Sequence, residues 1–192
     1  MTQAGPRFSS ADLELMPDDG KRREIVDGAL FVSKVPHHEH QAISATLVIE
    51  LGVWNRQAGL GRVSVAPGVV FDDGDDVIPD VVWCSRERLI GALDDAGHFH
   101  LAPDLVVEVL SPGPANERRD RIVKLELYSR RAVLEYWIVD WQGRQVEVYR
   151  REDLRLRLMA TLREADTLES PLLPGFALPL GRLFADVPRA GG

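Results

Sequence analysis

The sequence predicts a chain of mixed α/β (α+β) class, and three observations carry that expectation. The first is Pro103-Asp-Leu-Val-Val-Glu-Val-Leu-Ser111, a run of strand-forming aliphatics apolar enough to be buried on both faces. The second is Asp27-Gly28 between two short apolar runs, a strong hairpin signal. The third is a pair of segments, 37–59 and 116–132, whose apolar residues recur at helical spacing.

The remaining elements follow in chain order. Ser9 or Ser10 caps a short helix with Leu13 and Met16 as its apolar points, ended by Pro17-Asp-Asp-Gly20. Arg23 to Ser33 forms the hairpin; Glu24 beside its turn reads, taken alone, as an exposed strand carboxylate. Ile43, Leu47, Val48 and Leu51 define a helix packed on one face and ending near Gly59. Its entrance, His37-His-Glu-His-Gln41, holds three histidines, but no cysteine or second histidine cluster stands at zinc-finger spacing. These side chains therefore read as partly exposed polar groups at a helix start. Strands follow at 62–65 and 68–71. The acidic run Asp72 to Asp76 lacks EF-hand spacing and reads as a solvated turn. Val77 to Cys84 reads as one strand carrying a single carboxylate, Asp80, and a short helix is expected over 86–93. After the strand at 103–111, Asn116 is a good N-cap for the next helix. Strands are expected at 135–140, 145–149 and 154–162, with an extended, irregular tail beyond. No repeat or linker divides the chain, so residues 1–192 are expected to form a single domain.

Composition narrows the function classes. A formal charge of -7 argues against strong nonspecific nucleic-acid binding, which leaves a basic footprint, but it permits a local basic groove. No apolar run approaches the ~20 residues of a membrane span and no secretory leader is evident, so no membrane partner is expected. The single cysteine, Cys84, suits a reducing, cytoplasmic setting.

The chemistry rests on charges placed among apolar neighbours. Strand alternation puts Glu108 on the same face as Val106 and Leu110. Removing a carboxylate from water costs several kcal/mol unless a partner or metal compensates. Asp80 poses the same question on its own strand. Two such carboxylates are raw material for a Mg²⁺ (or Mn²⁺) site, since Mg²⁺ prefers oxygen ligands and keeps waters for a phosphate-bearing substrate. Lys124 lies four residues after Asp120 and four before Tyr128, so the three share one helical face. Of 23 basic residues 20 are arginine and three are lysine. An ordinary surface position here is filled by arginine, whereas a compact ammonium with a tunable pKa is not freely exchanged for it.

Taken together, Pro79-Asp80, Pro103 to Pro112, Asp120, Lys124, Tyr128 and Glu135-Tyr-Trp-Ile-Val-Asp140 resemble the Uma family of bacterial restriction-endonuclease-like proteins, within the PD-(D/E)xK nuclease-like superfamily. The likeness extends to Glu24-Ile-Val-Asp-Gly28, His40-Gln41 and the tail from Leu173-Pro-Gly-Phe176 to Phe184. The resemblance implies a restriction-endonuclease-like core, a mixed central sheet flanked by helices with an added N-terminal hairpin. It implies metal ligation by Asp80 and Glu108, with Glu24 as a further acidic member. The superfamily's usual lysine stands two residues after the acidic residue, where this chain has Leu110; the family draws its lysine from the following helix, which matches Lys124. The expected activity is metal-dependent endonucleolytic hydrolysis of nucleic acid, with DNA the expected partner. Arg118, Arg119, Arg121, Arg130 and Arg131 cluster around the Lys124 helix as phosphate contacts or as a solvated face. A homodimer suits a double-strand cutter. Two alternatives stand beside this expectation: a catalytically silent nucleic-acid-binding or assembly module, and a hydrolase of small phosphorylated molecules.

Overall fold

A computed structural model describes residues 6–188. Its centre is a six-stranded mixed sheet. The strands β1 (Arg22–Val26), β2 (Ala29–Ser33), β4 (Val69–Asp72) and β5 (Asp75–Val77) form a separate sheet of order β2-β1-β5-β4. The six-stranded sheet is built from β3 (Gly61–Val65), β6 (Val81–Ser85), β7 (Leu105–Val109), β8 (Glu135–Asp140), β9 (Gln145–Glu152) and β10 (Arg155–Arg163), in the order β10-β9-β8-β7-β6-β3. Within this sheet, among the described residues, only the β7–β8 pair is parallel; the connection between them is helical, as a parallel crossover requires.

The two faces of β7 part as the alternation predicts. Leu105, Val107 and Val109 join Trp137 and Val139 of β8 under the helix α2 (His38–Ala58), which contributes Ile43, Leu47, Leu51 and Trp54. On the other face, Val106 and Leu110 pack with Tyr136, Ile138, Leu127 and Tyr128, and with Val69 and Val77 of the smaller sheet. Glu108 projects toward this second face, into the space between the helix that follows β7 and the four-stranded sheet.

Local chemistry explains the element boundaries. The helix α1 (Ser10–Glu14) starts in a capping box between Ser9 and Asp12. Asp27 and Gly28 both take positive φ, 52° and 73°, the geometry that a tight two-residue hairpin turn needs. α2 stops at Gly59, which takes the left-handed conformation.

Several expectations are corrected. The span 77–84 is two strands, not one: β5 pairs with β1, β6 with β7, and Ile78 to Asp80 cross between the sheets. Asp72 to Asp76 is not wholly a solvated turn, because Asp75 is buried and accepts hydrogen bonds from Arg130, Arg131 and the Asp27 amide. The short helix α3 is confined to Arg86–Leu89. The helix after β7 begins at Pro114, with Gly113 as its cap, while the Asn116 side chain bonds the Pro112 carbonyl instead. The tail is ordered: β11 (Thr167–Glu169) and β12 (Ala177–Pro179) pair, and α6 (Leu180–Leu183) leads Leu183 and Phe184 into the core. No helix among the described residues is long and apolar enough to cross a membrane.

Cys84 is buried on β6, and burial pushes its thiol up to about 11. We expect no reaction with a thiol reagent at pH 8 in the native state and full reaction after unfolding in guanidinium. Rapid native labelling would contradict the packing of β6.

Candidate active site

The chain from Pro114 to Arg130 is one continuous helix with an unusual centre. Between α4 (Pro114–Arg118) and α5 (Leu125–Arg130), residues Arg119–Lys124 form a π-helical turn. Wider i→i+5 turns of this kind recur at functional sites. Here the turn carries both Asp120 and Lys124 to the inner side, 1% and 0% exposed, and Tyr128 continues the same face one turn on.

Lys124 Nζ donates to Glu24 Oε1 and to Glu108 Oε1, each at 2.8 Å. The Tyr128 hydroxyl donates to the same Glu108 oxygen at 2.7 Å. Glu24 also accepts from the Ile78 amide at 2.9 Å. The exposed-strand reading of Glu24 is therefore wrong: β1 is sandwiched by β2 and β5, and its carboxylate is 1% exposed.

Asp80 stands just before β6. The antiparallel register pairs Val81 with Val107, so extending it by one residue sets Asp80 opposite Glu108. Its Oδ2 accepts from the Val109 amide at 2.8 Å and lies 3.0 Å from His40 Nε2. Its Oδ1 accepts from the Arg22 guanidinium at 2.9 Å, and a second Arg22 nitrogen lies 3.5 Å from Glu24. Arg22 thus ties the Asp80 side of the site to the Glu24–Lys124 side.

Sequence reasoning passed over Arg22, one arginine among 20. The available signal was its spacing: residues two apart on a strand share a face, so Arg22 had to accompany Glu24. The histidine cluster, expected as a polar helix entrance, serves two separate roles. The cluster divides: His37 caps α2 through the Glu39 amide and stacks on Trp141 at 5.1 Å, whereas His40 is buried against Asp80. Leu110, two residues after Glu108, packs in the apolar cluster.

The electrostatics follow from the count of charges. Four carboxylates (Glu24, Asp80, Glu108, Asp120) meet three permanent cations (Arg22, Arg119, Lys124) in a volume with little water. Burial would raise every carboxyl; Lys124 and Arg22 nevertheless hold Glu24 below its usual value, and His40 and Arg22 hold Asp80 well below. Glu108 bears the surplus. Burial, only partly offset by Lys124 and reinforced by Asp80, Asp120 and Glu24, pushes it up to about 7. Lys124 is shifted upward, because its carboxylate neighbours outweigh burial, and it remains an ammonium.

The arginines of the helix are largely committed within the molecule. Arg119 pairs with Asp120 and donates to the Ser33 hydroxyl; Arg121 pairs with Glu117, Glu147 and Asp140. Arg130 and Arg131 pair with Asp27, Asp72 and Asp75. Arg118 is exposed. Most of the cluster therefore locks the helix to its neighbours instead of forming a solvated face.

A metal is tested by the donors present. Among the described residues no three His, Cys, Asp or Glu side chains stand in a ready-made cage. The donor chemistry nonetheless suits a hard divalent cation: Asp80 and Glu108 stand at neighbouring positions of adjacent strands, and the carboxylates of the site outnumber its permanent cations. Both side-chain bonds accepted by Glu108 fall on Oε1, and Asp80 Oδ1 is held only by Arg22.

A solved structure, that of a putative nuclease belonging to DUF820 from Anabaena variabilis, matches with a TM-score of 0.74 over 93% of this chain and 98% of that one, at 17% identity. The two chains share one fold, a mixed six-stranded central sheet with helices and an extra antiparallel sheet. The chain belongs to the Uma2 family, described as putative restriction endonuclease, which its residues 10–181 match. The comparison with curated proteins found no match.

Proposed function

We propose that this protein is a metal-dependent endonuclease that hydrolyses phosphodiester bonds in nucleic acid, with DNA as substrate and residues 1–192 acting as one domain. The observation that carries this reading is Lys124 bridging Glu24 and Glu108 in a buried site that holds one carboxylate more than it has permanent cations. A purely structural ion network gains nothing from an uncompensated buried carboxylate. A site awaiting a divalent cation does.

Asp80 and Glu108 would hold Mg²⁺ or Mn²⁺, which when bound supplies Lewis-acid activation of water and neutralises charge on the phosphate. Lys124 uses two of its three donors on carboxylates; the third serves to orient the attacking water and to meet charge developing on the phosphoryl oxygens. Glu24 keeps Lys124 protonated and aimed. Tyr128 fixes the rotamer of Glu108. A groove of about 500 Å³ lined by Ser33, Lys34, His37, Ser111 and Asn116 offers a path for the strand. It borders the site, because Ser33 pairs across the hairpin with Arg22, and Ser111 lies two residues beyond the amide that binds Asp80.

Calorimetry tests the metal directly. Wild type should bind Mn²⁺ near neutral pH, and Asp80→Ala should weaken binding by about 100-fold or more. Wild type that fails to bind would sink the catalytic reading. A catalytically silent nucleic-acid-binding or assembly module is the second reading, favoured by the engagement of both Asp80 oxygens. It predicts DNA retention without metal uptake.

A further inference from the structure

We infer that Arg22 is a resident counter-ion that occupies the cation position between Asp80 and Glu24 and must swing outward for a divalent metal to enter. This inference rests on the metal-dependent reading above and extends it to how the site opens. Three observations carry it.

The first is position. The Arg22 guanidinium touches both acidic sides of the site, Asp80 Oδ1 at 2.9 Å and Glu24 Oε1 at 3.5 Å. Asp80 Oδ2 is already committed to the Val109 amide and His40, so Oδ1 is the oxygen a metal would take. Arg22 sits on that oxygen.

The second is imperfect satisfaction. Arg22 Nε is buried without a hydrogen-bond partner, as is His40 Nδ1 on the other side of Asp80. A guanidinium placed for permanent structural service fills its fork of donors, and a buried donor left unmade carries a desolvation penalty. Arg22 makes one good bond and one long contact. Its hold on the site is therefore weaker than that of Lys124, which makes two bonds of 2.8 Å.

The third is access. Glu24, Asp80, Glu108 and Lys124 are each at most 5% exposed, so no ion reaches them while the side chains stay in place. The Arg22 side chain is 22% exposed, more than any other member of the network. It lies across the hairpin from Ser33, which lines the groove. Rotation about its flexible stem uncovers Asp80 Oδ1 without moving the backbone, and delivers the guanidinium to the groove, where a phosphate can bind its fork. One positive charge leaves and two arrive, which offsets the carboxylate that the permanent cations leave uncompensated.

The test compares wild type, Arg22→Gln and Arg22→Lys by Mn²⁺ calorimetry at neutral pH, with a denaturation midpoint for each to establish folding. A neighbouring opposite charge changes a carboxylate's proton affinity by roughly 10- to 1,000-fold, so removing this cation should tighten Mn²⁺ binding by about tenfold or more, with Arg22→Lys between. In wild type, which needs no mutation to be informative, arginine modification by phenylglyoxal read by peptide mass should increase at Arg22 on Mn²⁺ saturation. Binding that is unchanged or weaker in Arg22→Gln, or an Arg22 that stays protected at saturating metal, overturns the inference while leaving the metal site intact. Absence of binding in all three variants overturns both the inference and the metal-dependent function.

Discussion

Replacing Lys124 with methionine is expected to lower the unfolding free energy by about 3–5 kcal/mol, the cost of breaking a buried ion pair by removing one partner. Methionine fills a similar volume, so the loss reports charge and not a cavity. Glu24 and Glu108 would each lose a 2.8 Å bond in a site from which water is excluded, and neither has another side-chain cation at that distance. Urea denaturation at pH 7 measures the effect. A second substitution, Glu24→Gln in the Lys124→Met background, should recover part of the loss, because one stranded charge is then gone; the cycle gives the coupling between the two residues. A loss below about 1 kcal/mol would place Lys124 among ordinary surface pairs.

How much of this site is legible before folding depends on whether the signal is local. Glu108 is legible because its neighbours in sequence are its neighbours in burial: an aliphatic strand announces that its single charge is out of water. Lys124 is legible for a different reason, its rarity in a chain that otherwise uses arginine. Asp80 is half-legible. Its Pro-Asp placement suggests a strand entrance, but the break of 77–84 into two strands of different sheets depends on pairing with β1 and β7, far away in sequence. Glu24 looks exposed in its own segment and is buried only because β5 and the π-helical turn close over it. Arg22 and His40 carry no compositional signal; their roles arise from contacts 58 and 40 residues distant in the chain.

The π-helical turn explains how a lysine on the following helix reaches Glu108. A lysine two residues after Glu108 would share its strand and face. At that position Leu110 completes the apolar cluster, and its carbonyl accepts from the Trp141 indole at 3.0 Å. Widening the helix at 119–124 gives Asp120 and Lys124 a common inward face, with Arg119 Nε at 3.0 Å from Asp120 to neutralise the extra carboxylate. The ammonium is thereby returned to Glu108 from the opposite side. Tyr136 secures the turn by donating to the Asp120 carbonyl at 3.0 Å, one of the backbone groups a wide turn must satisfy.

Glu108→Gln separates function from stability, and its expected effect on function is the largest of all. The amide oxygen can still accept from Lys124 and Tyr128, so the fold is retained, but the charge that would hold the metal is gone. Plasmid cleavage should fall by about a thousandfold or more, some 4 kcal/mol of transition-state stabilisation. Stability should move the other way, with a definite pH dependence. Glu108 is raised from an ordinary 4.5 to about 7, so its protonated form favours the folded state. That contribution is complete below the unfolded value and is lost as pH rises through 7. Glutamine stays neutral throughout. In EDTA, the variant's stability relative to wild type should therefore improve from pH 5 to about pH 7 and level off above it, as read by denaturation midpoints at each pH. A difference that is flat across this window would mean that Glu108 is ionised at low cost and that the surplus charge lies elsewhere. Cleavage surviving in Glu108→Gln would assign the activity to a contaminating nuclease. Loss of cleavage together with a rising relative stability is the signature of a carboxylate kept for chemistry at the expense of the fold.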